Sequence, residues 1–361
     1  MKHLGFGVVG LSYRDAPSSV RAALLKADAG KRSPSAELLE LGKARGVVRV
    51  ETCSRVEWLI EADEPAWAAE LLRSALSARA AEAQKLHARV GPGAVHHLLR
   101  VAAGLDSIAQ GEHAVGRQVL KAFERAHAAG TTGRTLKACW RVTGQMLHAL
   151  RDVLPQRQSI GVQSLAARAL LSQGIAPGAK VLVFGQGDIG RAMTRALERS
   201  HLDGKRVFRR ADLPRFLDQA RDADAVVVCS GAPDAWLELP RRDDQPVVVD
   251  VGSPAQVLSA PGWKSFTLDH LLDEGATLLP DELSGAVAQE CGKAAHELIR
   301  LLEAPSKGRE LAAIDAARRL FLRDTLPPLL EGLSPAQQRA VVSRVSEFTH
   351  QLLREVSGPN T

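Results

Sequence analysis

The 361-residue chain has a single Tyr, and aromatic residues make up only 4% of it. Its cores must therefore be built from aliphatic side chains. The four cysteines, Cys53, Cys139, Cys229 and Cys291, stand far apart. That spacing excludes a zinc knuckle and a CxxC redox pair and argues against a disulfide framework. No run of about 18 apolar residues occurs, so no membrane span is expected. The Gly-rich opening around Gly5–Leu11 runs straight into Arg14 and Asp15. It has no small-residue cleavage site, and it reads as a first strand rather than a secretory leader. Internal repeats and low-complexity tracts are also missing. What remains is ordinary for a folded soluble protein, 45% hydrophobic and 24% charged, which rules out a disordered chain or a collagen. The length suits two or three domains, and unpaired thiols make the cytoplasm the expected compartment.

The net charge of +6 is unevenly spread. Residues 1–160 carry 23 Lys and Arg against 15 Asp and Glu, and residues 161–361 carry 24 against 26. The most basic stretch, Arg117–Arg157, has eight Lys and Arg and only Glu124 and Asp152 as acids. A basic surface of this kind suits a polyanion such as RNA, although a merely solvated face gives the same pattern.

Gly5–Leu11, Val47–Val50 and Val56–Ala62 read as strands, with helices over Ala16–Leu25 and Ser35–Ala44, so a small α/β unit opens the chain. From Ala66 to Val153 the pattern is helical, with Val95, Leu98, Leu99, Ala102 and Leu105 at spacings of three and four. A boundary is expected near Pro155–Ser159. Beyond it, a helix over Val162–Gln173 is followed by strands at Lys180–Phe184, Ala225–Cys229 and Val247–Val251. This alternation argues for a parallel sheet. After about Gly275 only amphipathic helices remain. The chain is thus read as an α/β multidomain protein divided at residues 1–155, 156–275 and 276–361.

Gly185, Gly187 and Gly190 form a GxGxxG that follows a strand and opens a helix. In that setting the glycines serve a tight turn, close approach of a pyrophosphate, and helix–strand packing. Gly185, Gln186, Gly187, Asp188, Ile189 and Gly190 are therefore the candidate cofactor loop, with phosphates at the helix N-terminus. An ordinary βα turn needs small residues too. The next strand ends with Arg209 and Arg210 instead of an acid, which favours a 2′-phosphate and hence NADPH. The short distance from there to Ala225 implies that one strand–helix unit is missing.

Cys53 lies in Glu51-Thr52-Cys53-Ser54-Arg55, just after a strand. A thiol two residues from a guanidinium can be a nucleophile, or it can be a small buried hydrophobe. The other three cysteines sit in apolar patterns and read as core. Thr52-Cys53-Ser54-Arg55 resembles the nucleophile motif of the glutamyl-tRNA reductase family. So do His97-Leu98-Leu99-Arg100-Val101-Ala102-Ala103-Gly104-Leu105-Asp106-Ser107, Gly111-Glu112, and Gln118–Phe123. Val249-Asp250-Val251-Gly252-Ser253-Pro254 and a helical tail ending His350-Gln351-Leu352-Leu353 follow in the family's order.

The resemblance implies an N-terminal α/β catalytic domain, a Rossmann-type domain for NADPH, and a C-terminal helical dimerisation domain reached through a spinal helix. It implies reduction of glutamyl-tRNA to glutamate-1-semialdehyde, on the route to 5-aminolevulinate and tetrapyrroles. The protein would be a homodimer and would have glutamate-1-semialdehyde aminomutase as a further partner. The implied roles are nucleophile for Cys53, proton shuttle for His97, and a fork for the glutamate carboxylate in Arg55; taken alone, His97 also reads as a capped structural histidine and Arg55 as a surface ion pair with Glu51 or Glu57. Thr52, Ser54, Ser107, Glu112, His113, Ala114 and Gln118 match substrate-contacting positions. The chain departs from the family where Ser54 replaces Asn, where Glu-Pro-Gln reads Glu112-His113-Ala114, and where Leu-Gly reads Gly116-Arg117. Two other readings stay open: an NADPH reductase of a different acyl compound, and a dimeric binding or regulatory homologue without turnover.

Overall fold

The computed structural model describes residues 4–80, 85–107, 110–111, 113–154, 161–202, 206–232, 234–273, 279–303 and 315–357. The expected boundary at Pro155–Ser159 lies outside them, as does Glu112. The chain forms two compact units, residues 1–302 and 303–361.

The first unit opens with β1 (Phe6–Ser12), α1 (Ser18–Ala27), α2 (Pro34–Glu40), β2 (Gly46–Glu51), β3 (Arg55–Glu61), α3 (Pro65–Arg79), β4 (His87–Val90) and α4 (Gly91–Ala102). The four strands form one sheet in the order β2-β3-β1-β4, every neighbouring pair antiparallel. This is a double split β-α-β arrangement. The helical reading of Ala66–Val153 missed β4, a four-residue strand that gains its partners only through β1. So short a strand carries too little alternation to outweigh the helices on either side of it. Helix α2 starts where expected, with Ser33 Oγ accepting from the Ala36 N–H and Pro34 at its first position.

Two long helices, α5 (His113–Ala128) and α6 (Arg134–Val153), complete this region. Their buried faces join those of α4 and one side of the sheet in a core containing Phe6, Val8, Leu59, Leu98, Phe123, Leu136 and Met146. Gly116 lies at the helix crossing, where a Cβ would meet the Leu147 side chain and the Ala102 carbonyl. Arg117 beside it is exposed.

The next region runs through α7 (Val162–Ser172), β5 (Val181–Phe184), α8 (Asp188–Arg199), β6 (Arg206–Phe208), α9 (Leu213–Ala220), β7 (Ala225–Val228), β8 (Leu237–Glu238), β9 (Val247–Asp250), β10 (Val257–Ser259), β11 (Lys264–Thr267) and α10 (Leu268–Asp273). Five strands form a parallel sheet in the order β11-β9-β7-β5-β6. Strands β5, β7 and β9 are apolar runs buried on both faces, as a covered parallel sheet requires. The doubly wound pattern has a further strand beyond β6. Here the chain returns through α9 directly to β7, so the strand–helix unit inferred to be missing is indeed absent. Strands β8, β10 and β11 were not anticipated; they are short and partly exposed, with little hydrophobic signal.

Helix α11 (Asp281–Glu303) sets Val287, Cys291, Ala294, Ala295 and Leu298 into the core of the first region. In the second unit, residues 315–320 are helical and lead to a π-turn at Phe321–Thr325, a short helix Leu326–Leu329 and a long helix Pro335–Ser357.

Candidate active site

Cys53 sits in the tight turn between β2 and β3. Thr52 builds that turn: its Oγ1 accepts from the Ser54 N–H at 3.2 Å and the Arg55 N–H at 3.1 Å, and its own N–H donates to the Arg55 carbonyl. The Ser54 carbonyl accepts from the Tyr13 N–H at 2.7 Å, which pins the turn to the end of β1. Thr52 and Ser54 are buried, and Cys53 is half-buried.

Strand β3 carries Arg55 and Glu57 on one face, since alternate residues point the same way. Both are almost fully buried and form an ion pair, Arg55 Nη1 to Glu57 Oε1 at 3.0 Å. Arg55 Nη2 donates to the Asp106 carbonyl at 2.6 Å. From α4, His97 Nε2–H donates to the same Glu57 oxygen at 2.9 Å. That bond fixes the proton on Nε2 and makes Nδ1 the basic atom of the neutral ring. His97 lies between Ala94 and Val101 on the buried face of α4, whereas His96 is exposed.

Sheet register assembles this cluster. Gly10 of β1 stands opposite Glu57 on one side and His87 of β4 on the other. A Cβ at Gly10 would strike the Val56 carbonyl and the Glu57 side chain. The glycine thus leaves room for two polar side chains to approach across the central strand. His87 Nε2 is 4.0 Å from Glu57 Oε1 and has no hydrogen-bond partner among the described residues. Its ring meets that of His97 edge-on at 5.3 Å.

Burial alone would push the Glu57 carboxyl up. The Arg55 guanidinium, the His97 hydrogen bond, and the charges of His97 and His87 outweigh it and hold the carboxyl down at about 2. Burial likewise pushes the His87 imidazole down, towards its neutral form. One ligand atom each from Glu57, His87 and His97 lie within 4.8 Å of one another, a spacing that a metal ion could span. The guanidinium already on Glu57 Oε1 neutralises that carboxylate, so the cluster is balanced as an ion-pair network without one.

Two buried donors close to this network lack partners among the described residues, Arg55 Nε and Ser107 Oγ. Unsatisfied buried groups are rare enough to call for an explanation. Ser107 follows directly on Asp106, whose carbonyl Arg55 holds, so both orphan donors belong to one corner of the domain. The guanidinium hydrogen-bonded to the Cys53 backbone is not that of Arg55, which holds Glu57 and Asp106. It is Arg21 of α1, whose Nη2 donates to the Cys53 carbonyl at 3.0 Å. Burial pushes Arg21 down, while Asp269 and the Cys53 side chain act in the opposite sense. A cation near a thiol is the surrounding in which nucleophilic thiolates occur.

The glycine loop occupies the switch point between β5 and β7, where the strand order reverses. Gly185 has φ +121°, and a Cβ there would meet the Cys229 carbonyl at 2.7 Å. A Cβ at Gly190 would strike the Gly185 carbonyl, whereas at Gly187 it would meet nothing within 4 Å. The first and third glycines are therefore demanded by the turn itself, and the second faces open space. Gly187 caps α8 without a side-chain acceptor, leaving N–H groups directed at that space. Asp188 is paired with Arg191 at 2.6 Å and lies 3.9 Å from Lys121, which offsets its charge. Arg209, at the end of β6, donates through Nε to Gln186 Oε1 at 2.7 Å and so stands beside the loop. Ile189 packs against the sheet core. These residues fit a dinucleotide bearing a 2′-phosphate.

Residues 9–150 match the family model "Glutamyl-tRNAGlu reductase, N-terminal domain". A glutamyl-tRNA reductase of Ignicoccus hospitalis is 32% identical over 241 residues, covering 59% of this chain and 53%, about half, of the relative. One of Thermomicrobium roseum is 30% identical over 320 residues, covering 79% of this chain and 77% of the relative. The chain belongs to the glutamyl-tRNA reductase family. A solved structure, glutamyl-tRNA reductase from Methanopyrus kandleri, aligns over 100% of this chain and 96% of its own, with a TM-score of 0.49 and 20% identity.

Of the residues that the family motif singles out, the fold draws together Thr52, Cys53, Ser54, Arg55, His97 and Ser107. His113, Ala114 and Gln118 lie half-buried on the first turns of α5. Burial, reinforced by the charges of Arg117 and Arg151, keeps the His113 imidazole below its usual range. His87 and Arg21 were not singled out from sequence, and Glu57 was read only as a surface ion-pair partner of Arg55, whereas the pair is buried. The i, i+2 spacing of Arg55 and Glu57 was an available signal for one of them. The other two are set by strand register and helix docking, which leave no local trace. Cys139 and Cys229 are buried thiols whose ionisation burial pushes far up, and burial pushes Cys291 up to about 11.

Proposed function

We propose that this chain reduces the glutamyl group of glutamyl-tRNA to glutamate-1-semialdehyde, the first step of tetrapyrrole biosynthesis, through a thioester on Cys53. The observation that carries the reading is the Cys53 turn. It has Arg21 on its backbone, and next to it the Arg55–Glu57–His97 network with the orphan donors Arg55 Nε and Ser107 Oγ. Those donors suit the carboxylate and amino-acid backbone of a glutamyl group.

The Cys53 thiolate attacks the aminoacyl ester, and the ribose oxygen of the tRNA leaves with a proton. His97, held by Glu57, has its Nδ1 available to take that proton from the Cys53 thiol and pass it to the ribose oxygen. The resulting thioester is more electrophilic than the ester, so acyl transfer prepares the carbon for reduction. Gly185–Gly190, with Arg209 beside them for a 2′-phosphate, would hold NADPH, whose chemistry would be to supply a hydride. As the aldehyde forms, the carbon–sulfur bond breaks and Cys53 returns as thiolate. Thr52 and Ser54 keep the loop rigid throughout, while His113, Ala114 and Gln118 border the acyl site.

Arg117, Lys121, Arg125, Arg134, Lys137, Arg141 and Arg151 all lie exposed on α5 and α6 and supply a cationic face for the tRNA. The second unit exposes Leu329, Val342 and Phe348, and an open groove of about 1030 Å³ runs between Pro327 and Gln351. That supports association as a homodimer. No helix among the described residues is long and apolar enough to cross a membrane, and none of the four cysteines is in a disulfide. Both suit the cytoplasm, where a following aminomutase would take the reactive aldehyde.

The test is a single-turnover assay with charged tRNA. Wild type yields the aldehyde with NADPH and slowly releases free glutamate without it. Cys53→Ser loses both products and still binds NADPH. Aldehyde formation that survives in Cys53→Ser removes the thioester from the mechanism, and no aldehyde from NADPH-bound wild type removes the activity.

A further inference from the structure

Arg21 is 2% exposed, yet its counter-ion does not come from its own region. Its Nη1 donates to the Ala16 carbonyl at 2.8 Å and its Nη2 to the Cys53 carbonyl at 3.0 Å. The carboxylate 3.6 Å away belongs to Asp269, on α10, whose Leu268, Leu271 and Leu272 are part of the cofactor-region core. Asp269 also accepts from the Ser18 N–H at 3.0 and 3.1 Å and from the Ser18 hydroxyl at 2.7 Å. Ser18 opens α1, and the preceding Pro17 gives that helix no side-chain cap. A residue 251 positions away thus caps α1 and balances its buried cation. Tyr13 and Cys53 pack against the same cofactor-region core.

Among the described residues two other ion pairs cross this boundary, Lys26–Asp234 and Lys121–Asp188, with all four side chains exposed. Exposed pairs contribute little. Asp269 differs because its partner is buried. If the cofactor region withdrew, Arg21 would be left as an unpaired buried charge, which is strongly unfavourable.

We propose that Asp269 is a positioning residue for the reduction step. Through Arg21 it clamps the cofactor region onto the turn that carries Cys53. The acyl group on sulfur then meets hydride, giving aldehyde and thiolate, before water cleaves it to glutamate and thiolate. This rests on the reductase reading given above.

Asp269→Asn removes the charge and leaves an oxygen for Ser18; Asp269→Ala removes both. With charged tRNA and NADPH, the ratio of aldehyde to free glutamate falls about tenfold in the Asn variant and further in the Ala variant. Without NADPH, glutamate release stays within about twofold of wild type, because that step needs only the first region. NADPH affinity, read by fluorescence titration, is unchanged. Iodoacetamide alkylates Cys53 faster, as read by peptide mass spectrometry. Asp269→Glu recovers part of the ratio. An unchanged ratio in both variants overturns the clamp. So does an equal fall in hydrolysis and reduction, which would make Asp269 a support of the first region's fold alone. Wild type that binds NADPH and forms no aldehyde defeats the reductase reading instead.

Discussion

In the four-stranded sheet the chemistry lies inside. Arg55 and Glu57 are among the least exposed side chains of the protein, in the first half of an inner strand, and His97 reaches Glu57 from a helix. In the five-stranded sheet the three central strands, β5, β7 and β9, are almost wholly Val, Leu, Ala and Phe, and polar groups gather in the turns at their carboxyl ends. Asp250 is the exception that proves local: buried at the end of β9, it accepts from the Gly252, Gln256 and Val257 N–H groups and shapes its own turn. One sheet stores charge in its core, and the other uses an apolar core to hold a loop in place. A buried charge depends on every partner being present. A loop on an apolar scaffold depends on a few backbone angles.

The largest effect should come from breaking the interior network. Glu57→Ala strands the Arg55 guanidinium in the core and should cost about 3–5 kcal/mol in urea unfolding. Glu57→Gln, which keeps the shape and one acceptor, should cost less. A loss below about 1 kcal/mol for the Ala variant would mean that Arg55 finds another partner or water.

The same network predicts a pH dependence. Glu57 is held at about 2 in the folded protein against a usual 4.5. Its folded pKa is depressed, so its stabilisation is fully present above about pH 5 and is lost as pH falls towards 2. Wild type should lose more stability across that window than Glu57→Gln does. Parallel curves for the two proteins would assign the acid sensitivity to other groups.

In the second sheet the effects should be smaller and separable. Gly190→Ala drives a Cβ into the Gly185 carbonyl, and should destabilise by about 1–3 kcal/mol while abolishing NADPH binding. Hydrolysis of charged tRNA without NADPH should survive. Gly187→Ala places its Cβ in open space, so stability should stay within about 0.5 kcal/mol of wild type and only NADPH affinity should fall. Unchanged NADPH affinity in Gly187→Ala would move the phosphates off the loop.

The contrast also explains which features were legible beforehand. The glycine loop could be read because its requirements are local: a strand, a positive φ at Gly185, and a helix start within six residues. The missing strand–helix unit followed from counting residues between Phe208 and Ala225. The Cys53 motif was recognisable as a string, but its partners were not. His87 was read as helical, because β4 is a strand only by virtue of lying beside β1.

By itself the sequence determined the order of the longer strands and helices, the apolar cores and the cofactor turn, since periodicity and turn chemistry act over a few residues, and a motif four residues long marked the candidate nucleophile. Tertiary structure alone decided that Glu57 holds both Arg55 and His97, that Gly10 clears the space between Glu57 and His87, and that Asp269 reaches Arg21. Apart from the i, i+2 pair Arg55–Glu57, each of these joins residues dozens to hundreds of positions apart, and such contacts arise from sheet register and domain docking, which no local pattern encodes.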